Sequence, residues 1–204
     1  PLTTQEVKQI AGRAGRIGIY DVGYVATLGG GMDLIEDRLL AEDEPIEQAV
    51  VGPGEGILQI GLLPLREKLA LWSTQPETLP YYRKKDVRNE LLILDLLRSY
   101  RLPEAVQWRL MHIPFDPGNS VLLAQFSEYA DECFGLRASA LGKPESDCIT
   151  CQEYETYYQQ VNLYYSFSRA MDLPLDEQWV ADARARISRN IRRLLQKSRP
   201  RSIR

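Results

Sequence analysis

Apolar positions along the chain fall into runs at helical spacing, separated by short stretches of glycine, proline and small polar residues. Thr3 and Glu6 open the first run as a capping-box pair. Val7, Ile10, Ala11 and Ala14 follow, predicting a helix carried on to Arg16. "GYVATL", Gly23–Leu28, predicts a short strand closed by a turn at Gly29, Gly30 and Gly31. "MDLIEDRLLA", Met32–Ala41, predicts another helix, and a glycine- and proline-rich break follows at Val50–Gly56.

Helical patterns then come one after another. "LPLREKLALWS" starts at Leu63; Asp86–Tyr100 has Asp86 as a candidate N-cap and apolar positions at 87, 91, 94 and 97. "DPGNSVLLAQFSEYADECFG" places proline just after a capping Asp116 and closes on Gly135. "TCQEYETYYQQVNLYYSFSRAM" opens on a second capping box, Thr150 with Glu153, and "DEQWVADARARISRNIRRLLQKS" is the last run. The predicted fold is therefore mostly α. A lone helix–strand–helix cannot bury its own core, so residues 1–50 read as the end of a larger α/β domain, followed over residues 51–204 by an all-helical module.

Composition narrows the class. With 204 residues, 44% hydrophobic and 26% charged, this is a globular chain of one or two domains, without an apolar run near the roughly 20 residues of a membrane span. It opens in mid-motif without a methionine and so reads as a fragment of something longer. Three cysteines argue against a disulfide framework and for a reducing compartment. The net charge of −3 conceals nine basic residues and no acid from Arg184 to Arg204, against an acidic body. An anionic partner near that end fits this pattern, and so does a solvated tail.

Candidate chemistry concentrates in the first run. An interior glycine costs a helix about 1 kcal/mol, yet Gly12 and Gly15 each precede an arginine. On a helical wheel Gln9, Arg13 and Arg16 fall within about 60° of one another, opposite the apolar side, with the two glycines between. Two planar guanidiniums on one face suit a polyphosphate that gains charge during transfer.

"QIAGRAGR", Gln9–Arg16, resembles motif VI of superfamily-two helicases, Q-x-x-G-R-x-G-R in the DExH-box branch. Five specified residues match by chance about once in ten thousand chains of this size. The same stretch, a strand soon after it and the helical remainder are similar to the mitochondrial degradosome RNA helicases (suppressor-of-Var helicases) and their bacterial relatives. "LPEAVQWRLMHIP" is similar to that family's segment of like position.

The resemblance implies that residues 1–50 end a second RecA-like domain and that the whole protein is an ATP-dependent RNA helicase. Arg13 and Arg16 would reach the γ-phosphate as catalytic residues, and Gln9, Gly12 and Gly15 would line the nucleotide. ATP and magnesium would be bound mainly by upstream domains, since the chain contains no G-x-x-x-x-G-K-[ST]. Alone, this stretch is expected to be inactive. The implied partners are single-stranded RNA and an exoribonuclease, without a membrane, in the bacterial cytoplasm or, alternatively, the mitochondrial matrix. A non-catalytic helical scaffold binding RNA or protein is the competing reading.

Other candidates are weaker. Gly29–Gly31 is followed by Asp33, Glu36 and Asp37, which would repel a phosphate, so a plain turn is expected. Cys148 and Cys151, with Cys133 and the single His112, make only half of a zinc pattern, and no metal is expected. Tyr81, Tyr82, Arg83, Lys84 and Lys85 interleave aromatics with cations, as a single-stranded RNA surface or a basic loop over packed tyrosines would. The tyrosines from 154 to 165 repeat at helical spacing and predict a core stripe. In the last helix Val180, Ala183, Ile187, Ile191 and Leu194 form the docking side. Arg184, Arg186, Arg189 and Arg193 lie largely elsewhere, available to RNA, a protein or water.

Overall fold

The computed structural model describes residues 2–13, 24–26, 30–43, 45 and 47–197. They are mostly helical, with eight α-helices and two three-residue strands among them. The chain divides into two compact units, residues 1–49 with 79–83 and residues 50–78 with 84–204.

In the first unit α1 (Thr4–Ala11) begins at the expected capping box: Thr3 Oγ1 accepts from the Glu6 N–H at 3.2 Å, and Glu6 Oε2 accepts from the Thr3 N–H at 2.7 Å. The helix ends at Ala11, short of Arg16. Gly12 donates back to the Lys8 carbonyl at 2.8 Å, and Arg13 leaves on a turn. Two glycines within four residues make continuation costly, which accounts for the early stop. Val7 anchors α1 at 3% exposure, whereas Ile10, expected on the apolar side, is 55% exposed.

Helix α2 (Met32–Leu40) packs on α1. Lys8 ties the pair by donating its ammonium to the Ala41 carbonyl and, at 2.8 Å, to Asp43 Oδ1. The strand expected over Gly23–Leu28 does not form at Tyr24–Ala26, and its other residues lie outside those described. Among the described residues no strand pairs with this stretch, and an unpaired strand leaves its backbone groups to water. Gly30 and Gly31 have φ of 113° and 84°, the left-handed region that glycine enters without strain, and Gly31 caps α2.

Two strands escaped the sequence pattern. β1 (Ala49–Val51) pairs with β2 (Tyr82–Lys84). The Ala49 N–H donates to the Tyr81 carbonyl at 2.8 Å and the Lys85 N–H to the Val51 carbonyl at 2.9 Å, so both strands run the same way. Runs of three residues carry no usable periodicity, and distant partners make these strands.

The second unit holds a 3-10 turn (Glu55–Gln59), then α3 (Leu65–Thr74), α4 (Arg88–Leu97), α5 (Glu104–Met111), α6 (Ser120–Ala130), α7 (Cys151–Ala170) and α8 (Glu177–Lys197). Two expected caps moved. Asp86 accepts from the Arg88 N–H at 3.0 Å, but Val87 occupies the N-cap of α4. Asn119 caps α6, accepting from the Val121 N–H at 3.0 Å, because Asp116 is spent on the turn to the Gly118 N–H at 2.8 Å. At α7 the Thr150–Glu153 box forms, with Glu153 Oε2 accepting from both the Ile149 and Thr150 N–H groups at 2.8 Å.

One core runs through this unit. Phe126 on α6 and Phe167 on α7 are fully buried, with ring centroids 5.4 Å apart in an edge contact. Tyr157 and Tyr164 are buried on α7, and Tyr154, Tyr158 and Tyr165 pack half-buried against the same core. Val180, Ala183 and Ile187 bury the inner side of α8. Among the described residues no helix is long and apolar enough to cross a membrane.

Candidate functional site

The capped, two-turn α1 leaves the side chains of Gln9 and Arg13 exposed. Gly12, at its C-terminal end, has φ of −61°, so it is not there for a left-handed backbone. A Cβ at Gly12 would meet the Lys8 carbonyl at 3.2 Å, tighter than ordinary van der Waals contact. Arg13 follows on the turn rather than on a continuous helix face. Its guanidinium has no hydrogen-bond or ion-pair partner among the described residues. Gly15 and Arg16 lie outside the described residues, so of the expected grouping only Gln9 and Arg13 are described, each exposed.

The basic aromatic stretch divides. Tyr81 and Tyr82 are 66% and 48% exposed, and Arg83 is exposed as well. Lys84 is committed inside the second unit: its ammonium donates to the Trp72 and Gln75 carbonyls at the end of α3 and sits 5.0 Å from the Trp72 ring centroid. A cation at a helix C-terminus is favoured by the unpaired carbonyls and the dipole there. Lys85 donates to Glu90, whose side chain is only 9% exposed. Glu90 Oε2 takes no donor, a state that costs roughly 1–3 kcal/mol for a buried polar group.

The C-terminal arginines divide likewise. Arg184, expected among the outward arginines, lies in the seam between α7 and α8. It donates from Nε to Asn162 Oδ1 at 2.9 Å and rests 5.1 Å from the Tyr165 ring centroid. Its position, four residues after Val180 and three before Ile187, borders the apolar stripe, and a guanidinium there folds over an aromatic face. Arg186, Arg189 and Arg193 are exposed.

Cys133, Cys148 and Cys151 are unpaired thiols, and burial raises the pKa of Cys133, making it a poor thiolate source. Cys148 Sγ lies 3.1 Å from Ser146 Oγ, while His112 turns to Trp108, with Nδ1 2.8 Å from that residue's carbonyl. Among the described residues no three potential metal-ligating groups come together.

Sequence reasoning missed a cavity of about 290 Å³ in the second unit, at the start of α4 and the end of α5. Glu90 is the signal that could have found it. It falls on the stripe of Val87, Leu91 and Leu94, where a charge is out of place and requires a partner.

No protein-family model matches this chain, and no curated protein matches it.

Proposed function

We propose that the chain is the C-terminal part of an ATP-dependent RNA helicase. Residues 1–50 would be the end of its second RecA-like domain. The single observation that carries this is "QIAGRAGR", with α1 anchored by Val7 and ending at Gly12 so that Gln9 and Arg13 remain exposed. A guanidinium without a partner among the described residues offers five donors in a planar fork, which fits phosphate oxygens. ATP, held with magnesium mainly by domains upstream, would supply the phosphoanhydride bond that is hydrolysed. Arg13 and Arg16 would set positive charge against the developing charge on the γ-phosphoryl oxygens, and Gln9 would report whether that group is present.

The helical second unit would keep one strand of RNA in place while the motor domains open and close, with an exoribonuclease as the consumer of the unwound strand. Arg186, Arg189 and Arg193 support this as an exposed cationic face of the second unit. Tyr81, Tyr82 and Arg83 belong to the first unit, where they form an exposed aromatic and basic stretch that would bind RNA separately.

The test is steady-state ATPase of the full-length protein. Arg16→Ala is expected to lower RNA-stimulated turnover by about 10³-fold or more, with Arg13→Ala acting in the same direction. RNA affinity should change little. Near-normal turnover in both variants would remove the assignment.

A further inference from the structure

We infer that the outer face of α8 is a docking strip for the phosphate backbone of a single nucleic-acid strand, held by charge and without regard to base sequence. The inference rests on the RNA reading proposed above and names the part of the strand that this face takes.

Four arginines form the strip. At about 100° per residue Arg186, Arg189 and Arg193 fall within about 60° of one another, and Arg192 stands about 60° further round. They lie away from Val180, Ala183 and Ile187, the buried side of the helix. All four are exposed, and their side chains make no ion pair or hydrogen bond with any described residue. Arg186 and Arg189, Arg189 and Arg192, and Arg189 and Arg193 stand three or four residues apart, spacings at which like charges repel and weaken a helix. Elsewhere in this unit cations have partners: Arg66 has Asp95, Lys85 has Glu90 and Lys143 has Asp176. Asp182, one turn before Arg186, is the last acid of the chain, and it accepts from Gln178 Nε2 at 3.1 Å. An external polyanion relieves the repulsion that no residue of the helix relieves.

The class of polyanion follows from the other residues of this face. Gln178, Ala181, Ala185 and Ser188 are exposed beside the arginines, and none brings a large apolar side chain. Leu195, 49% exposed, lies at least about 120° from Arg186, Arg189 and Arg193. Protein interfaces depend on buried anchors, and membrane-bound helices on an apolar face; the apolar side of α8 is already packed on α7. Nucleic-acid interfaces are polar and strongly positive, as this face is. Bases have nothing to stack on. Trp179, the one aromatic residue of α8, is half-buried against Tyr164 at 5.4 Å, with the Lys143 ammonium 5.3 Å from its ring centroid. A guanidinium fork matches phosphate oxygens. Arg186 to Arg193 span about 10 Å of helix, the length of about three nucleotides of a stacked strand at roughly 3.4 Å each.

The experiment compares the chain with its Arg186→Gln/Arg189→Gln/Arg192→Gln/Arg193→Gln variant by fluorescence anisotropy at several salt concentrations. The labelled probes are oligo(U), oligo(A), a base-free ribose-phosphate oligomer of the same length, and polyglutamate. Four phosphates at about 0.7 each predict that the variant's log–log salt slope is flatter by about 2.8, and equally so for oligo(U), oligo(A) and the base-free oligomer. The thermal midpoint should not fall, since the four side chains are exposed and repel one another. A slope unchanged by the substitutions, or no binding of the oligomers, would overturn the inference. So would a change confined to the base-bearing oligomers, which would put the contact on the bases. Tighter binding of polyglutamate than of the oligomers would overturn it in favour of an acidic protein. RNA binding that the variant retains in full removes this face and leaves the RNA reading standing. Full-length ATPase of the Arg13 and Arg16 variants reports on the motor assignment independently of these results.

Discussion

Removing Glu104 tests whether the second unit depends on one buried ion pair. Lys68 on α3 is 3% exposed along its side chain, and its ammonium donates to Glu104 Oε2 in the first turn of α5 at 2.7 Å. Breaking a buried pair by deleting one partner costs about 3–5 kcal/mol, because the remaining charge is stranded. Glu104 is 32% exposed, so water can follow from that side, and the expected loss for Glu104→Ala is the lower end, about 3 kcal/mol. In a domain of this size each kcal/mol moves the thermal midpoint by roughly 2–4 °C, which gives a fall of about 6–12 °C. Trp72, Trp108 and Trp179 all lie in the second unit, so tryptophan fluorescence follows its unfolding alone. The paired replacement Lys68→Met/Glu104→Leu removes both charges and should recover most of the loss, since apolar pairs replace buried ion pairs at little cost. A Glu104→Ala midpoint within about 2 °C of the parent, or a double variant as unstable as the single one, would refute this reasoning.

Four further outcomes are expected. Replacing Arg186, Arg189 and Arg193 with glutamine should flatten the salt dependence of single-stranded RNA affinity by about 0.7 in log–log slope for each phosphate that is no longer neutralised. Arg184→Gln should instead lower the thermal midpoint, since its guanidinium joins α7 to α8 through Asn162. Thr150→Ala removes the side-chain half of the α7 capping box and should cost about 1 kcal/mol, read as a shift of roughly 2–4 °C. Stability should fall in acid. Asp176 is held below its ordinary pKa of 3.8 chiefly by the Lys143 ammonium, and Asp95 chiefly by the Arg66 guanidinium. Glu153 is held below 4.5 chiefly by the Thr150 backbone N–H. Each carboxyl binds its proton more weakly folded than unfolded. The contribution is therefore full above these ordinary values and lost as pH falls through the lower folded ones. Asp176→Asn should make the acid melting curve less steep, and an unchanged curve would count against the Lys143 pairing.

Much of the helical architecture was legible because the forces that start and stop these helices are local. Both capping boxes need only residues three apart, and they form where Thr3–Glu6 and Thr150–Glu153 stand in the sequence. The tyrosine repeat of α7 and the apolar stripe of α8 follow from the helical period alone, which sets which residues share a face. In the motif QIAGRAGR the residue types were legible and the length of the helix was not. The two glycines were read as leaving a helix face clear, whereas the described backbone ends α1 at the first of them.

Only the tertiary structure decided what depends on partners distant in the chain. The strands at Ala49–Val51 and Tyr82–Lys84 exist through each other, some thirty residues apart, and three residues carry no periodicity of their own. Lys84 and Arg184 look like any other cations in a basic run. One finds its acceptors in the carbonyls ending α3, and the other finds Asn162 and the Tyr165 ring. The sequence sets where a long side chain begins; the packing of the neighbouring helix decides whether its charge meets water or a partner, because burial without one is too costly to persist. The same reasoning separates Glu90 from the other acids: its place on the apolar stripe was written in the sequence, but the cavity beside it exists only once α4 and α5 have packed.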